Sequence, residues 1–260
     1  MIAGATASLY CHGIPGSTAE LDLFGNAIDP NDFHVLDRVA AAHAGAQWLD
    51  HLAQEAVAVA GDRPIHLIGF SLGSHAALRL AALLGPRISS IDLIAPAAPL
   101  ETGDYLSLMA GGAVFRMARD YPRLFRALLA GQSAMARVAP GTLAKILLSS
   151  AVAADRSLAD TREFQDKLGE ILRTSLGAGK AAYHQEISAY VQPWADSLAL
   201  VEAPVTLWHG EADNWSPPAM TDALAEHLSH IADVHRLAGL SHYSMLRTAL
   251  PKIIDRKSLR

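Results

Sequence analysis

The sequence predicts an α/β protein: a mostly parallel sheet of about six strands, helices on both faces, and a helical insertion. Three observations carry this. A short apolar run, Pro64 to Phe70, passes through Gly69-Phe70-Ser71-Leu72-Gly73 directly into an alanine- and leucine-rich helix, Ser74 to Leu84, which Gly85-Pro86 stops. Strand and helix patterns alternate on both sides of that stretch, which favours parallel strands joined by crossovers. Between Glu101 and Ala195 the periodicity is helical throughout, with no strand pattern. The 260 residues suffice for one sizeable core carrying an insertion.

Taken in order, Thr6–Cys11 reads as a strand running into His12-Gly13-Ile14-Pro15-Gly16-Ser17, a loop suited to presenting backbone amides. Ile14 is the candidate donor, since Pro15 has no N–H, although taken alone the loop reads as an ordinary turn. Phe33–Asp37 is a second strand, and Ala40–Ala60 a helix stopped by Gly61. The elbow strand and helix follow. Ile88–Ala95 is a strand ending at Pro96-Ala97-Ala98-Pro99. The insertion, 101–195, is broken at Gly111-Gly112, Pro122, Pro140-Gly141 and 177–179. It holds eleven Lys/Arg against nine Asp/Glu, a balance of +2 that leaves −7 for the rest of a chain whose formal charge is −5. Alternation resumes with a strand at Val205–His209, a helix from Pro217 or Pro218 to about His230, a strand at Val234–Leu237, and a last helix after His242. The expected division is a core of 1–100 and 196–260 with 101–195 as a helical cap.

A strand, a G-x-S-x-G turn and a helix form a nucleophile elbow, with the serine hydroxyl raised above the sheet on a strained turn. The flanking glycines, Gly69 and Gly73, allow strand and helix to pass without a Cβ. The Leu72 N–H then faces the reacting atom. A serine nucleophile needs a base, and the base needs a group that fixes its tautomer. Asp213 follows the Val205–His209 strand, and His242 follows the last strand. Both therefore stand at carboxyl ends of strands, where open α/β sheets bind ligands. Glu211 lies inside the turn and reads as solvated. Asp37-Arg38 precedes Ser71 and reads as structural, and Asp92 lies within a strand. His12 reads as a structural hydrogen-bonding residue and Cys11 as core. His66 and His75 belong to the elbow strand and helix, while His184, His227, His230 and His235 read as surface histidines.

Together the His12-Gly13 loop, the Gly69–Gly73 elbow, Trp194, Pro204, Gly210-x-x-Asp213 and Ser241-His242 resemble the α/β-hydrolase superfamily over nearly the whole chain. The resemblance implies the α/β-hydrolase fold, with Ser71 as nucleophile, His242 as base and Asp213 as acid. It also implies an oxyanion hole from the Ile14 and Leu72 amides, and a cap made by the insertion. Two features depart from relatives. Most relatives carry a hairpin before the His-Gly strand, whereas here that strand starts near residue 6 and a sheet of about six strands is expected; Ser74-His75 stands where Gly-Gly is frequent. A serine excludes the aspartate-dependent dehalogenase and epoxide-opening branches. The implied chemistry is hydrolysis of a carboxylic ester, lactone or thioester through an acyl-enzyme. An acyltransferase, a carbon–carbon hydrolase, a peptidase and a non-catalytic hormone-receptor-like protein share the same parts.

The remaining expectations concern partners. No Cys/His spacing suits zinc and no glycine-rich phosphate loop is present, so no metal or cofactor is expected. The net charge argues against nucleic acid. No apolar run is long enough to span a bilayer. The single cysteine, with no basic n-region at the start, points to a cytoplasmic setting. The substrate is expected to be a small ester with an apolar acyl part. Arg116, Arg119, Arg123 and Arg126 fall on one face of a helix, with Pro122 placed to split or kink it. That face reads first as a solvated basic surface. The alternative reading, by analogy with the family's carrier-protein methyl esterases, is a docking face for an acidic partner or a substrate's anionic carrier. Phe125, on the apolar side, is expected to line the acyl site.

Overall fold

The computed structural model describes residues 6–27 and 32–258. Six strands form one sheet in the order β2-β1-β3-β4-β5-β6, and every neighbouring pair is parallel. The strands are β1 (Ala7–Cys11), β2 (His34–Val35), β3 (Ile65–Phe70), β4 (Ile88–Ile94), β5 (Val205–Gly210) and β6 (Ile231–Leu237). β1, β3 and β5 are buried along their full length, as expected of strands covered on both faces.

The chain runs outward from β1 to β2, then crosses to the other side of β1 to begin β3. This reversal sets the switch point between β1 and β3, with Cys11 in register with Gly69. The loop after β1 and the turn after β3 therefore meet at one edge.

Helices α1 (Arg38–Ala42), α2 (Trp48–Ala60) and α3 (Gly73–Leu84) follow β2 and β3. The helix expected over Ala40–Ala60 is thus divided, because Gly45 adopts φ 62° between the two halves. The strand expected over Phe33–Asp37 shortens for a related reason. The Asp37 side chain accepts the Ala40 N–H at 2.9 Å and caps α1.

The inserted segment carries α4 (Gly112–Asp120), α5 (Pro122–Val138), α6 (Pro140–Leu148), α7 (Ala154–Ala159), α8 (Arg162–Leu172) and α9 (Lys180–Tyr190). A π-helical turn at Arg173–Ala178 joins the last two. No strand occurs among the described residues of 101–195. After β5 come α10 (Ala219–His227), β6 and α11 (His242–Ser258). Leu228 is already extended, so α10 ends before His230 and β6 begins three residues earlier than expected.

Two arginine pairs fall on separate helices. Tyr121 (φ −136°, ψ 62°) ends α4, and Pro122 opens α5. Arg116 and Arg119 therefore belong to one helix, Arg123 and Arg126 to the next, and the single basic face is not formed as expected. All four are exposed, and Arg119 pairs with the adjacent Asp120 at 2.8 Å.

His75 is buried in α3 among the rings of Trp48, Tyr190 and Trp194, with centroids 6.0, 5.8 and 4.8 Å away. Burial, with nearby Arg79 and Arg38, lowers its pKa to about 3, so it packs as a neutral ring. His66 bonds Asp92 at 2.8 Å, and Asp92 also accepts the Trp208 indole N–H at 2.7 Å. Two of the expected surface histidines are instead stacked, His184 on Phe125 and His235 on Trp208.

Candidate active site

Ser71 sits between β3 and α3 with φ 54°, a conformation that side chains other than glycine rarely adopt. Its N–H donates to the Ile94 carbonyl at 3.0 Å, and its carbonyl accepts from Ser74 at 3.0 Å. The glycines on either side are required by contact. A Cβ on Gly73 would lie 2.0 Å from the Cys11 carbonyl oxygen, and one on Gly69 would lie 2.9 Å from the Ser74 Cα. This crowding brings the end of β1 against the start of α3. Ile14 and Leu72 consequently border one cavity with Ser71. Neither amide donates to an acceptor among the described residues.

Asp213 and His242 meet at the same sheet edge. Gly210 is in register with Leu237. A Cβ on Gly210 would come within 2.5 Å of the Leu240 carbonyl, so the loop before His242 lies directly on the end of β5. The Ala212 N–H donates to that Leu240 carbonyl at 3.0 Å. His242 Nδ1 then donates to Asp213 Oδ2 at 2.8 Å. The other carboxylate oxygen accepts the Trp215 and Ser216 amides at 2.8 and 3.0 Å. His209 steadies this turn through the Ser216 carbonyl at 2.9 Å.

Asp213 and His242 are 4% and 3% exposed, whereas Glu211 is exposed. The Phe70 ring lies 4.7 Å from the imidazole and links its position to the residue before Ser71. Ser71 Oγ makes no direct hydrogen bond to His242 here. Such bonds are commonly long without substrate and tighten in the reacting complex. Burial disfavours the imidazolium, but the attraction and hydrogen bond of Asp213 outweigh it, aided by Asp155 and Glu20. The His242 pKa is raised above its ordinary 6.5.

Three acidic residues around this site were missed by reading the sequence. Glu20 is buried behind the loop after β1, where both its oxygens accept the Gly13 N–H, at 3.0 and 2.9 Å. Tyr10 OH also donates to it at 2.7 Å. Burial, only partly opposed by these bonds, raises its pKa to about 7. Asp155 in α7, 2% exposed, accepts the Tyr243 and Ser244 amides at 2.9 and 2.8 Å. It thereby caps the helix that begins with His242, from 88 residues away in sequence. Glu186 in α9 pairs with buried Arg38, which also donates to the His12 carbonyl. None of the three stands in a recognisable motif. The partners of Asp155 and Glu186 are set by how the insertion folds back on the core, and those of Glu20 by how the segment after β1 closes over its own loop.

Replacing Asp155 with Asn is expected to lower stability by about 1–3 kcal/mol, because the amide keeps one acceptor oxygen but turns its NH₂ toward the other buried N–H. It should also move the histidine limb of the rate–pH profile to lower pH, because one of the carboxylates holding the pKa up is gone. Thermal unfolding and a kcat/KM profile read the two effects separately.

The cavity beside Ser71 measures about 100 Å³. Ile14, Pro15, Leu72, Trp215 and Ser216 border it from the core, and residues of α4, α5, α6, α8, α9 and the π-helical turn, with Met109 and Gly111, line the rest. Phe125 is not part of that wall. It is fully buried one layer behind, 6.4 Å from the ring of Tyr183, which does line the cavity. Hydrogen bonds tie the insertion to the acid-bearing loop. Ala110 N–H donates to the Asn214 carbonyl at 2.7 Å, and the Asn214 amide to the Ser150 carbonyl at 2.8 Å.

Among the described residues no helix is long and apolar enough to cross a membrane. Comparison with curated proteins returns no match. Solved structures with the same architecture include a bromoperoxidase from Bacillus anthracis, at 15% identity and TM-score 0.65, covering 99% of this chain and 92% of that one. A hydrolase from Oleispira antarctica is similar at 14% identity and TM-score 0.66, covering 99% and 92%. A thermophilic esterase from Thermogutta terrifontis is similar at 17% identity and TM-score 0.61, covering 97% and 90%. At such identities the likeness establishes the fold. The model of the alpha/beta hydrolase family matches residues 5–250, and with the parallel sheet and elbow described above, this chain belongs to that family.

Proposed function

We propose that the protein is a serine-dependent carboxylic-ester hydrolase acting on small acyl groups. The observation that carries the reading is the buried Asp213–His242 hydrogen bond at the same sheet edge as the strained Ser71. In this reading Ser71 Oγ attacks the ester carbonyl while His242 Nε2 takes the hydroxyl proton. The carbonyl oxygen becomes an oxyanion held by the Ile14 and Leu72 amides. His242 returns the proton to the departing alkoxide as the C–O bond breaks, leaving an acyl-enzyme. Water, deprotonated by the same imidazole, then releases the acid and restores Ser71. Asp213 keeps the proton-bearing Nδ1 turned toward itself, so that Nε2 is the basic nitrogen.

The cavity of about 100 Å³ favours short acyl chains, since sites for drug-sized ligands run to roughly 300–1,000 Å³. A panel of p-nitrophenyl esters of rising chain length, with lactones and methyl esters beside it, tests the reading. The expected profile peaks at short acyl chains. Absence of turnover on every member counts against ester hydrolysis. Added alcohol distinguishes water from an alcohol as the natural acceptor, because a transferase would convert part of the acyl group to a new ester.

A further inference from the structure

The geometry points to a polar subsite in the acyl cavity, built by Gln132 and Tyr183 for an acyl chain that carries a hydroxyl or amide group. This deepens the ester-hydrolase reading and rests on it for the role of Ser71. Away from Ser71 the wall is chiefly aliphatic, with Leu143, Leu147, Leu172 and Leu176. Gln132 from α5 and Tyr183 from α9 interrupt it. Gln132 Oε1 is buried and has no hydrogen-bond partner. Tyr183 is 6% exposed, and its hydroxyl forms no hydrogen bond with a described residue.

Buried polar groups are nearly always paired, because leaving one unpaired forfeits its hydration without replacement. A leucine or phenylalanine would satisfy both helix and packing at these positions without that penalty. A buried, unpaired Gln132 Oε1 on the same cavity wall as the Tyr183 hydroxyl therefore indicates a ligand that completes it. A hydroxyl can donate to Gln132 Oε1 and accept from the Tyr183 hydroxyl. An amide does the same with its N–H and carbonyl. A purely hydrocarbon chain does neither, and a site built this way discriminates against it.

The test compares p-nitrophenyl butanoate and hexanoate with their 3-hydroxy and 5-hydroxy analogues and with the N-acetylglycinate ester. At least one substituted ester is expected to exceed its plain counterpart about tenfold in kcat/KM, the order of one buried hydrogen bond. Gln132→Leu should collapse that ratio to one or below, and Tyr183→Phe should reduce it. Should Gln132→Leu fail to fold, Gln132→Met replaces it. The hydroxy arm and the acetamido arm separate the two ligand chemistries.

A second readout does not depend on turnover. Calorimetry of the free acids with Ser71→Ala should rank them in the same order. An inert wild type whose Ser71→Ala form still prefers the substituted acids would remove the catalytic reading and support the subsite. Equal binding of plain and substituted acids, with kcat/KM unaffected by the substituent, would mean that water alone satisfies Gln132, and would overturn the subsite.

Discussion

Replacing Ser71 with alanine is expected to lower kcat by roughly 10⁴- to 10⁶-fold with the fold intact, because the three groups of such a site act as a unit. The backbone at this position already holds φ 54°, and alanine meets the same steric cost there as serine, so stability should change little. On the proposed mechanism, loss of the hydroxyl removes the group that forms the acyl-enzyme. The residual rate reports what the Ile14 and Leu72 amides and the cavity contribute by binding alone. Circular dichroism and thermal unfolding guard against a folding artefact, and initial rates with a short-chain p-nitrophenyl ester give the effect.

Asp213→Asn should be the second largest loss, on the order of 10⁴-fold in kcat. The amide preserves shape but can offer its NH₂ toward Nδ1, which favours the tautomer with the proton on Nε2, where the base should be free. The pH dependence gives a second, signed readout. His242 must be neutral to accept the Ser71 proton, so activity rises with pH through its pKa. In the wild-type protein that pKa is raised above 6.5, and the limb falls above 6.5. Removing the Asp213 charge takes away the strongest attraction opposing burial, so the limb moves to lower pH. Linkage runs in the same sense. A raised histidine pKa means that the folded state binds the proton more tightly than the unfolded chain. This contribution is fully present below about pH 6.5, histidine's ordinary value, and is lost as pH rises through the folded pKa. Full activity of Asp213→Asn would move the acid elsewhere, with Glu211 the first alternative.

The strand–turn–helix stretch around Ser71 was legible because its signal is local. The apolar run, the two glycines and the alanine-rich helix all lie within about twenty residues, and the crowding at Gly73 explains why the sequence tolerates nothing larger. Asp213 and His242 were legible because each follows a strand whose carboxyl end the α/β architecture brings to one edge. Other features depend on contacts that no local pattern encodes. Asp155 caps α11 across 88 residues, and Glu186 reaches Arg38 across 148. Glu20 is a glutamate at the start of a 3₁₀ segment, and only folding reveals that it closes over the Gly13 amide. The arginine face was read along one helix, and the break at Tyr121–Pro122 divides it. Tyr183, on a different helix, supplies the wall where Phe125 was expected.

The central claim is that Ser71 is the nucleophile, and covalent labelling tests it most directly. Incubation with a p-nitrophenyl alkylphosphonate, followed by peptide mass analysis, should add one phosphonyl group to the peptide containing Ser71, with none on Ser71→Ala. Release of p-nitrophenol should be stoichiometric with protein and slow in Asp213→Asn. A phosphonyl group on another serine with Ser71 unmodified, or equal labelling of Ser71→Ala, would contradict the account.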